Sequence, residues 1–185
     1  SYFGPMVNDT GLLFFYGDII TYLEILRYNG KHMEKNERVL VLQYIQPGLL
    51  GLMDGSVSTL APLFAVAFAT RSSHITLLVG LSAAIGAAIS MGFAEALSDT
   101  GIHTGRGHPL RRGFVTGLMT FIGGILHALP FLLPKIWHAV YLAYIIVGLE
   151  LIFIAYIRNK YFKMNFLISV FQVVVGGVLV ILAGI

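Results

Sequence analysis

Five long apolar runs, separated by short polar links, occupy most of this chain. The runs cover about residues 47–70, 74–97, 113–133, 136–157 and 164–184. Each holds roughly 21–24 residues, which as a helix is about 32–36 Å long and can cross a hydrocarbon core of about 30 Å. The pattern therefore predicts an all-α integral membrane protein with five transmembrane helices.

Residues 1–46 do not follow this pattern and form a separate segment before the membrane domain, residues 47–185. Their apolar stretch, from Leu12 to Leu26, is interrupted by Asp18 and Glu24. It is shorter than the roughly 20 apolar residues that a transmembrane helix needs. We therefore expect an amphipathic, interfacial helix here, with a sixth span as the alternative.

Basic residues are distributed unevenly between the two sets of links. Of the 12 Lys and Arg residues, only Arg71 and Lys135 lie in the links after the first and third runs. Cytoplasmic links carry the excess of Lys and Arg in membrane proteins. The N-terminus is therefore predicted to be cytoplasmic, and five spans place the C-terminus on the opposite side.

Composition agrees with a membrane protein and excludes several function classes. The 185 residues are 57% hydrophobic and 11% charged, whereas about a quarter of the residues in a soluble domain are charged. The net charge of +3 arises from short links at the ends of apolar runs, so it does not indicate nucleic-acid binding. There is no cysteine, and no nucleophile elbow or dinucleotide fingerprint is present. We expect a non-enzyme without a bound cofactor.

Metal-ligating residue types recur at helical spacing where the second run ends. Met91, Glu95 and Asp99 are four residues apart, so a helix would place them on one stripe. Ca²⁺ and Mg²⁺ prefer oxygen ligands alone, whereas a thioether favours softer ions. The spacing predicts a path for a transition-metal cation through Met91 and Glu95, with Asp99 as a weaker candidate.

A second candidate, Asp54, lies inside the first run between Gly51 and Gly55. Ionisable residues within a membrane are costly and commonly functional, and small residues let another helix approach closely. Asp54 is therefore predicted to be a metal ligand, with Ser58 as a weaker oxygen ligand one turn further on. The alternative is a structural carboxylate bound to a serine or to the backbone.

Two other residues have two interpretations each. Glu150 is either a further gate carboxylate, and so a weaker metal candidate, or a partner for Arg158. His127 lies on an apolar stripe, where a structural histidine is more common than one that binds a metal or a proton.

The link of residues 98–112 is interpreted as a turn whose arginines mark orientation: Arg106, Arg111 and Arg112.

Two segments resemble the signature segments of the vacuolar iron transporter family. They are Asp54-Gly-Ser-Val-Ser-Thr on the first span and Ser90-Met-Gly-Phe-Ala-Glu on the second. Gly-Arg-Gly-His-Pro-Leu-Arg-Arg-Gly from residue 105 and His-Ala-Leu-Pro from residue 127 are similar to its bacterial branch, the membrane-bound ferritins. The resemblance covers about residues 47–185.

This resemblance implies a homodimer of five-span subunits with the ion path between them. It also implies that Asp54, Met91 and Glu95 move Fe²⁺ out of the cytoplasm against protons. Plant and fungal members have a Glu-rich insert after the second span, and the bacterial branch has an N-terminal ferritin-like domain. Residues 98–112 and 1–46 contain neither. We therefore expect an iron-loading module that is missing, lost or supplied by a partner, and an iron-loading protein or a larger complex is the expected kind of partner.

The sequence therefore predicts a transporter, embedded in membrane lipid, that moves Fe²⁺ or Mn²⁺ out of the cytoplasm in exchange for protons. A bacterial inner membrane is the expected location, with an organelle membrane as the alternative. The rival interpretation is a non-transporting membrane subunit that anchors or braces a larger complex. A proton or small-solute channel is a third.

Overall fold

The computed structural model describes residues 35–183, and its regular elements in that range are all helical. Helix α1 (Lys35–Leu40) continues through a π-helical turn (Val41–Ile45) into α2 (Gln46–Thr70). The remaining elements are α3 (Ser73–Ser98), α4 (Pro109–Ala128) with a 3₁₀ turn (Leu129–Leu132), α5 (Ile136–Phe162) and α6 (Phe166–Ala183).

The described helices confirm an all-α membrane protein. Four of them are long and apolar enough to cross a membrane: Asn36–Thr70, Ser73–Ser98, Pro109–Leu132 and Ile136–Phe162. The fifth apolar helix, α6, is shorter, with 18 residues. Most of the predicted N-terminal segment, residues 1–34, lies outside the described residues. Sidedness remains a prediction from the distribution of Lys and Arg.

A two-residue link reverses the chain between α2 and α3. Arg71 has a left-handed backbone (φ 52°), which ends α2. Ser72 is extended, and its hydroxyl accepts a hydrogen bond from the Ile75 N–H at 3.4 Å, which caps α3. Serine is a favoured N-cap because it satisfies one of the free N–H groups of the first turn. The link makes α2 and α3 antiparallel neighbours.

Helix α4 contacts both α2 and α3 at backbone distance because small residues line both contacts. On the α2 side, Gly51 and Gly55 lie directly against the carbonyl groups of Thr116 and Thr120. The α3 side is built in the same way from Gly92, Gly113 and Gly117. Close approach of small residues replaces the hydrophobic driving force that lipid does not supply. Because both helices contact α4, the depths of residues on α2 and on α3 can be compared along the axis of α4.

Replacing Gly55 by Ala should destabilise the bundle, because the added methyl group would overlap the Thr120 carbonyl oxygen. Overpacking a tight contact costs about 1–3 kcal/mol. We expect a lower thermal midpoint in detergent for Gly55→Ala. Gly86→Ala is the matched control, since nothing lies within 4 Å of a methyl group there. Equal midpoints for the two variants would contradict the close contact of α2 and α4.

Apolar and charged side chains are segregated along the bundle. The apolar core lies toward the end that holds the α2–α3 link. It comprises Leu60, Leu63, Phe64, Ala67, Ala128, Phe131, Ala139, Val140, Ala143 and Val147. Within it, the ring of Phe64 stacks on that of Tyr144 with centroids 4.8 Å apart. The buried charged groups lie in the middle of the bundle and toward the opposite end, where α3 ends and α4 begins.

Candidate functional site

The carboxylate of Asp54 is unpaired in the described part of the chain. Its backbone carbonyl accepts a hydrogen bond from the Ser58 hydroxyl at 2.6 Å, but no described side chain donates to its carboxylate. The side chain is half-buried, and Leu50, Val57 and Ser58 beside it on α2 are exposed. The other described helices therefore leave this face of α2 uncovered. A carboxylate facing lipid is costly, so Asp54 requires a partner that this part of the chain does not provide.

Glu95, in contrast, is buried and paired within an arginine cluster, which consists of Glu95, Asp99, Arg106 and Arg112. The Glu95 side chain is 6% exposed. Its Oε1 accepts from Arg106 Nη2 at 2.7 Å and from Arg112 Nε at 2.8 Å. Charge-assisted contacts of this length are among the stronger hydrogen bonds in proteins. The cost of burying this carboxylate is therefore offset within the chain itself.

Asp99 joins the same cluster from outside the helix, which corrects the predicted stripe. Helix α3 ends at Ser98, and Asp99 follows in extended backbone (φ −161°, ψ 160°). Its Oδ2 accepts from Arg106 Nη1 at 3.0 Å and from Arg112 Nη2 at 3.1 Å. The helix thus places only Met91 and Glu95 at the predicted spacing. The two acids are brought together by shared arginines rather than by helical periodicity.

Hydrogen bonds and ion pairs determine the ionisation of Asp99. Partial burial alone would raise its pKa, but the Gly101 N–H, the Thr104 hydroxyl and the two arginines stabilise the charged form, so its pKa is lowered from 3.8. Because the folded pKa lies below the ordinary value, Asp99 stabilises the folded link above pH 3.8. This contribution is lost as the pH falls through the folded pKa.

The role of Arg112 was not recognised from the sequence, where it was interpreted only as a marker of orientation. Its side chain is 1% exposed. Besides the two acids, it donates to the backbone oxygens of Gly107 at 3.1 Å and Asp99 at 3.2 Å. A signal was present, because a carboxylate in an apolar run requires a partner. The nearest cations along the chain after Glu95 are Arg106, Arg111 and Arg112.

A second buried group, the inner cluster of Ser56, His127 and Glu150, lies in the middle of the bundle. The Ser56 hydroxyl donates to Glu150 Oε1 at 2.6 Å and also lies 2.8 Å from the Leu52 carbonyl oxygen. His127 Nε2 is 2.6 Å from Glu150 Oε2. The inner cluster joins α2, α4 and α5.

These contacts bear on both interpretations of Glu150 and His127. Glu150 is 4% exposed and His127 is fully buried, so neither is open to solvent. Among the described residues, no hydrogen bond is made by His127 Nδ1, by His127 Nε2 or by Glu150 Oε2. The observed partners of the Glu150 carboxylate are Ser56 and His127, which the sequence did not suggest. Any metal or proton role for this pair remains a prediction.

Contacts with α4 order the predicted ligands by depth. Asp54 lies between Gly51 and Gly55, which contact Thr116 and Thr120, whereas Glu95 binds Arg112 at the start of α4. At 1.5 Å per residue, Asp54 is roughly 10 Å deeper than Glu95 along the helix axis. Met91 lies one helical turn from Glu95 on α3 and is half-buried. From the link between α3 and α4 toward the middle of the bundle, the predicted ligands follow in the order Asp99, Glu95, Met91, Asp54.

The described residues contain no group of three or more His, Cys, Asp or Glu side chains placed to hold a metal ion. The depth difference explains this result for Asp54 and Glu95. Two carboxylates separated by this distance cannot ligate one ion, since metal–oxygen bonds are only about 2.0–2.6 Å long. Within one subunit, the predicted ligands form successive positions rather than a single site.

Comparison with protein-family models supports the predicted resemblance to the vacuolar iron transporter family, whereas the bacterial branch stays a prediction. The model of the VIT family matches residues 96–185, just under half of the chain. The match includes Asp99, both arginines of the arginine cluster and Glu150, and it begins one residue after Glu95. Comparison with curated proteins and with solved structures gives no match.

Proposed function

Residues 96–185 show the pattern of the VIT family, a family of metal-ion transporters, and from this premise we propose that the protein moves Fe²⁺ or Mn²⁺ out of the cytoplasm in exchange for protons. The proposed path enters at Asp99 and Glu95 and continues past Met91 to Asp54 and Ser58. This order follows the depth of the residues along α4. The protein would act in a lipid bilayer, and a bacterial inner membrane is the proposed location.

The observation that carries the proposal is the unpaired carboxylate of Asp54. Glu95, Asp99 and Glu150 all have partners within the chain, whereas no described side chain pairs with the Asp54 carboxylate. An acid inside an apolar helix without a structural partner is best explained by a transient one. A hydrated divalent cation and a proton are both suitable, and alternation between them is the basis of exchange.

A homodimer supports this path because it would cover the open face of α2. Exposed Leu50 and Val57 lie beside Asp54, so a second copy packed on this face would remove the carboxylate from lipid. Twofold symmetry makes such an interface contact itself. It would bring two Asp54 side chains near each other and supply the ligand number that one subunit lacks. Two neighbouring carboxylates repel each other, which also favours uptake of a cation or a proton between the two Asp54 side chains.

Flux in proteoliposomes tests the proposal. The purified protein is reconstituted with an imposed pH gradient, and uptake is measured for Fe²⁺, Mn²⁺, Co²⁺, Ca²⁺ and Mg²⁺. We expect transition-metal flux toward the more acidic compartment, with little flux of Ca²⁺ or Mg²⁺. Collapse of the gradient by a protonophore should slow the flux, and protein-free liposomes provide the background. Flux indifferent to the gradient would contradict proton exchange.

The second candidate function is a non-transporting membrane subunit that anchors or braces a larger complex. Two observations favour it: Glu95 Oε1 already accepts hydrogen bonds from two arginines, and the described residues contain no group of three or more metal-ligating side chains. Co-purification of a large assembly, together with metal flux no greater than that of empty liposomes, would decide for this function.

A further inference from the structure

The two arginines of the arginine cluster are held very differently. Arg112 is 1% exposed, and its three side-chain nitrogens all donate to acceptors, including two backbone oxygens. Arg106 is 20% exposed, and among the described residues its guanidinium donates to the carboxylates of Glu95 and Asp99 and to no backbone oxygen, with its Nε unpartnered. Arg112 is therefore bound to the framework by hydrogen bonds, whereas those of Arg106 in this part of the chain are made to the two acids.

Arg106 lies outside the helices that carry the rest of the bundle. Gly105 and Gly107 flank it with positive φ angles of 70° and 74°, in a link without regular structure between α3 and α4. Its own N–H lies 3.4 Å from the Thr104 hydroxyl of the same link. Its guanidinium could leave the cluster while Arg112 kept the ends of α3 and α4 together.

The position of the Arg106 guanidinium is also that of an incoming cation. It bridges Glu95 Oε1 at 2.7 Å and Asp99 Oδ2 at 3.0 Å. The cluster is neutral, with two carboxylates and two guanidinium groups. Without Arg106 it would have a net charge of −1, and the two carboxylates at the start of the proposed path would share a single guanidinium, that of Arg112.

We propose that Arg106 is a built-in counter-ion that competes with the transported cation for Glu95 and Asp99, and thereby sets the affinity of the entry position. This inference rests on the proposed function, because it assumes that cations enter at the arginine cluster. A divalent cation must compete with a guanidinium that is already bound, so half-occupancy requires a higher cation concentration than it would without Arg106. Arg106 thus reduces occupancy by cations present at low concentration.

Binding of Mn²⁺ to the purified protein in detergent, measured by calorimetry, tests the inference without requiring transport. Arg106→Gln should bind Mn²⁺ at least about tenfold more tightly than the parent, because it removes a competing hydrogen-bonded charge. Arg111→Gln is the matched control. It removes the same charge from the first turn of α4, but the side chain of Arg111 is exposed and contacts Tyr44 rather than an acid.

Each outcome decides for or against the counter-ion. Tighter binding in Arg106→Gln but not in Arg111→Gln supports it. Equal affinities in the two variants, or weaker binding in Arg106→Gln than in the parent, would overturn it. Arg106→Lys provides a second test if the first variant fails to fold. A single ammonium group cannot bridge both carboxylates as a guanidinium does, so a smaller gain in affinity is expected, and no gain contradicts the proposal.

Flux measured with the same proteins separates this inference from the proposed function. If the parent protein shows no flux but Arg106→Gln still binds Mn²⁺ more tightly, the counter-ion role of Arg106 is supported and the transport function is rejected. If the parent protein shows flux but all variants have the same half-saturating Mn²⁺ concentration and the same Mn²⁺ affinity, the transport function is supported and the counter-ion role of Arg106 is rejected.

Discussion

Replacing Asp54 by Asn is expected to reduce divalent-cation flux to the background of protein-free liposomes while leaving the helix bundle intact. Asparagine has nearly the same size but cannot carry the negative charge that a cation or a proton neutralises. No described side chain donates to the Asp54 carboxylate, so the substitution breaks no described side-chain hydrogen bond. Flux in proteoliposomes and the thermal midpoint in detergent are the two measurements.

The matched control for Asp54→Asn is Glu37→Gln. Glu37 is exposed on α1, before the apolar part of the helix, and its neutralisation should leave flux unchanged. Loss of flux together with a lower thermal midpoint would indicate that Asp54 is structural instead. Undiminished flux in a stable Asp54→Asn variant would remove Asp54 from the mechanism, and with it the observation on which the proposed path depends.

The largest effect on stability is expected from breaking the inner cluster on one side. His127→Leu leaves Glu150 buried with Ser56 as its only remaining partner among those observed. Leaving a buried polar group without one of its partners typically costs about 1–3 kcal/mol, and more for a charged group. The expected result is a large fall in the unfolding midpoint, measured by thermal or detergent-induced unfolding at constant protein concentration.

The double variant His127→Leu, Glu150→Leu separates pairing from packing. Apolar residues of similar shape can replace both members of a buried polar contact at little cost, and the Ser56 hydroxyl retains the Leu52 carbonyl as an acceptor. We therefore expect the double variant to be more stable than either single variant. Additive losses in a double-mutant cycle would show that His127 and Glu150 do not interact, contrary to the 2.6 Å contact.

The identity of the helices could be predicted because apolar run length reflects the thickness of the bilayer. Runs of about 20 residues must satisfy their backbone groups internally, which in lipid leaves the helix as the available form. The helix is continuous from Lys35–Leu40 through Val41–Ile45 into α2, a continuity that the apolar run starting at residue 47 does not indicate. Continuity of this kind depends on backbone angles that hydrophobicity does not report.

The candidate residues were identified for a sound reason, but their partners were not. Acids within apolar runs are costly, so the sequence singled out Asp54, Glu95 and Glu150 by their positions within those runs. Helical periodicity then placed Asp99 on one stripe with Glu95, which is wrong because the helix ends at Ser98. Periodicity cannot show where a helix ends when apolar character fades gradually.

By itself, the sequence determined that this protein is helical and lies in a membrane, and which of its acids required an explanation. The tertiary structure alone decided how each acid is accommodated. Glu95 is paired with Arg106 and Arg112 across a link, Glu150 with Ser56 and His127 across helices, and Asp54 with no described side chain. The physical reason is that local hydrophobicity governs insertion of a segment, whereas neutralisation of a buried charge depends on side chains distant in sequence.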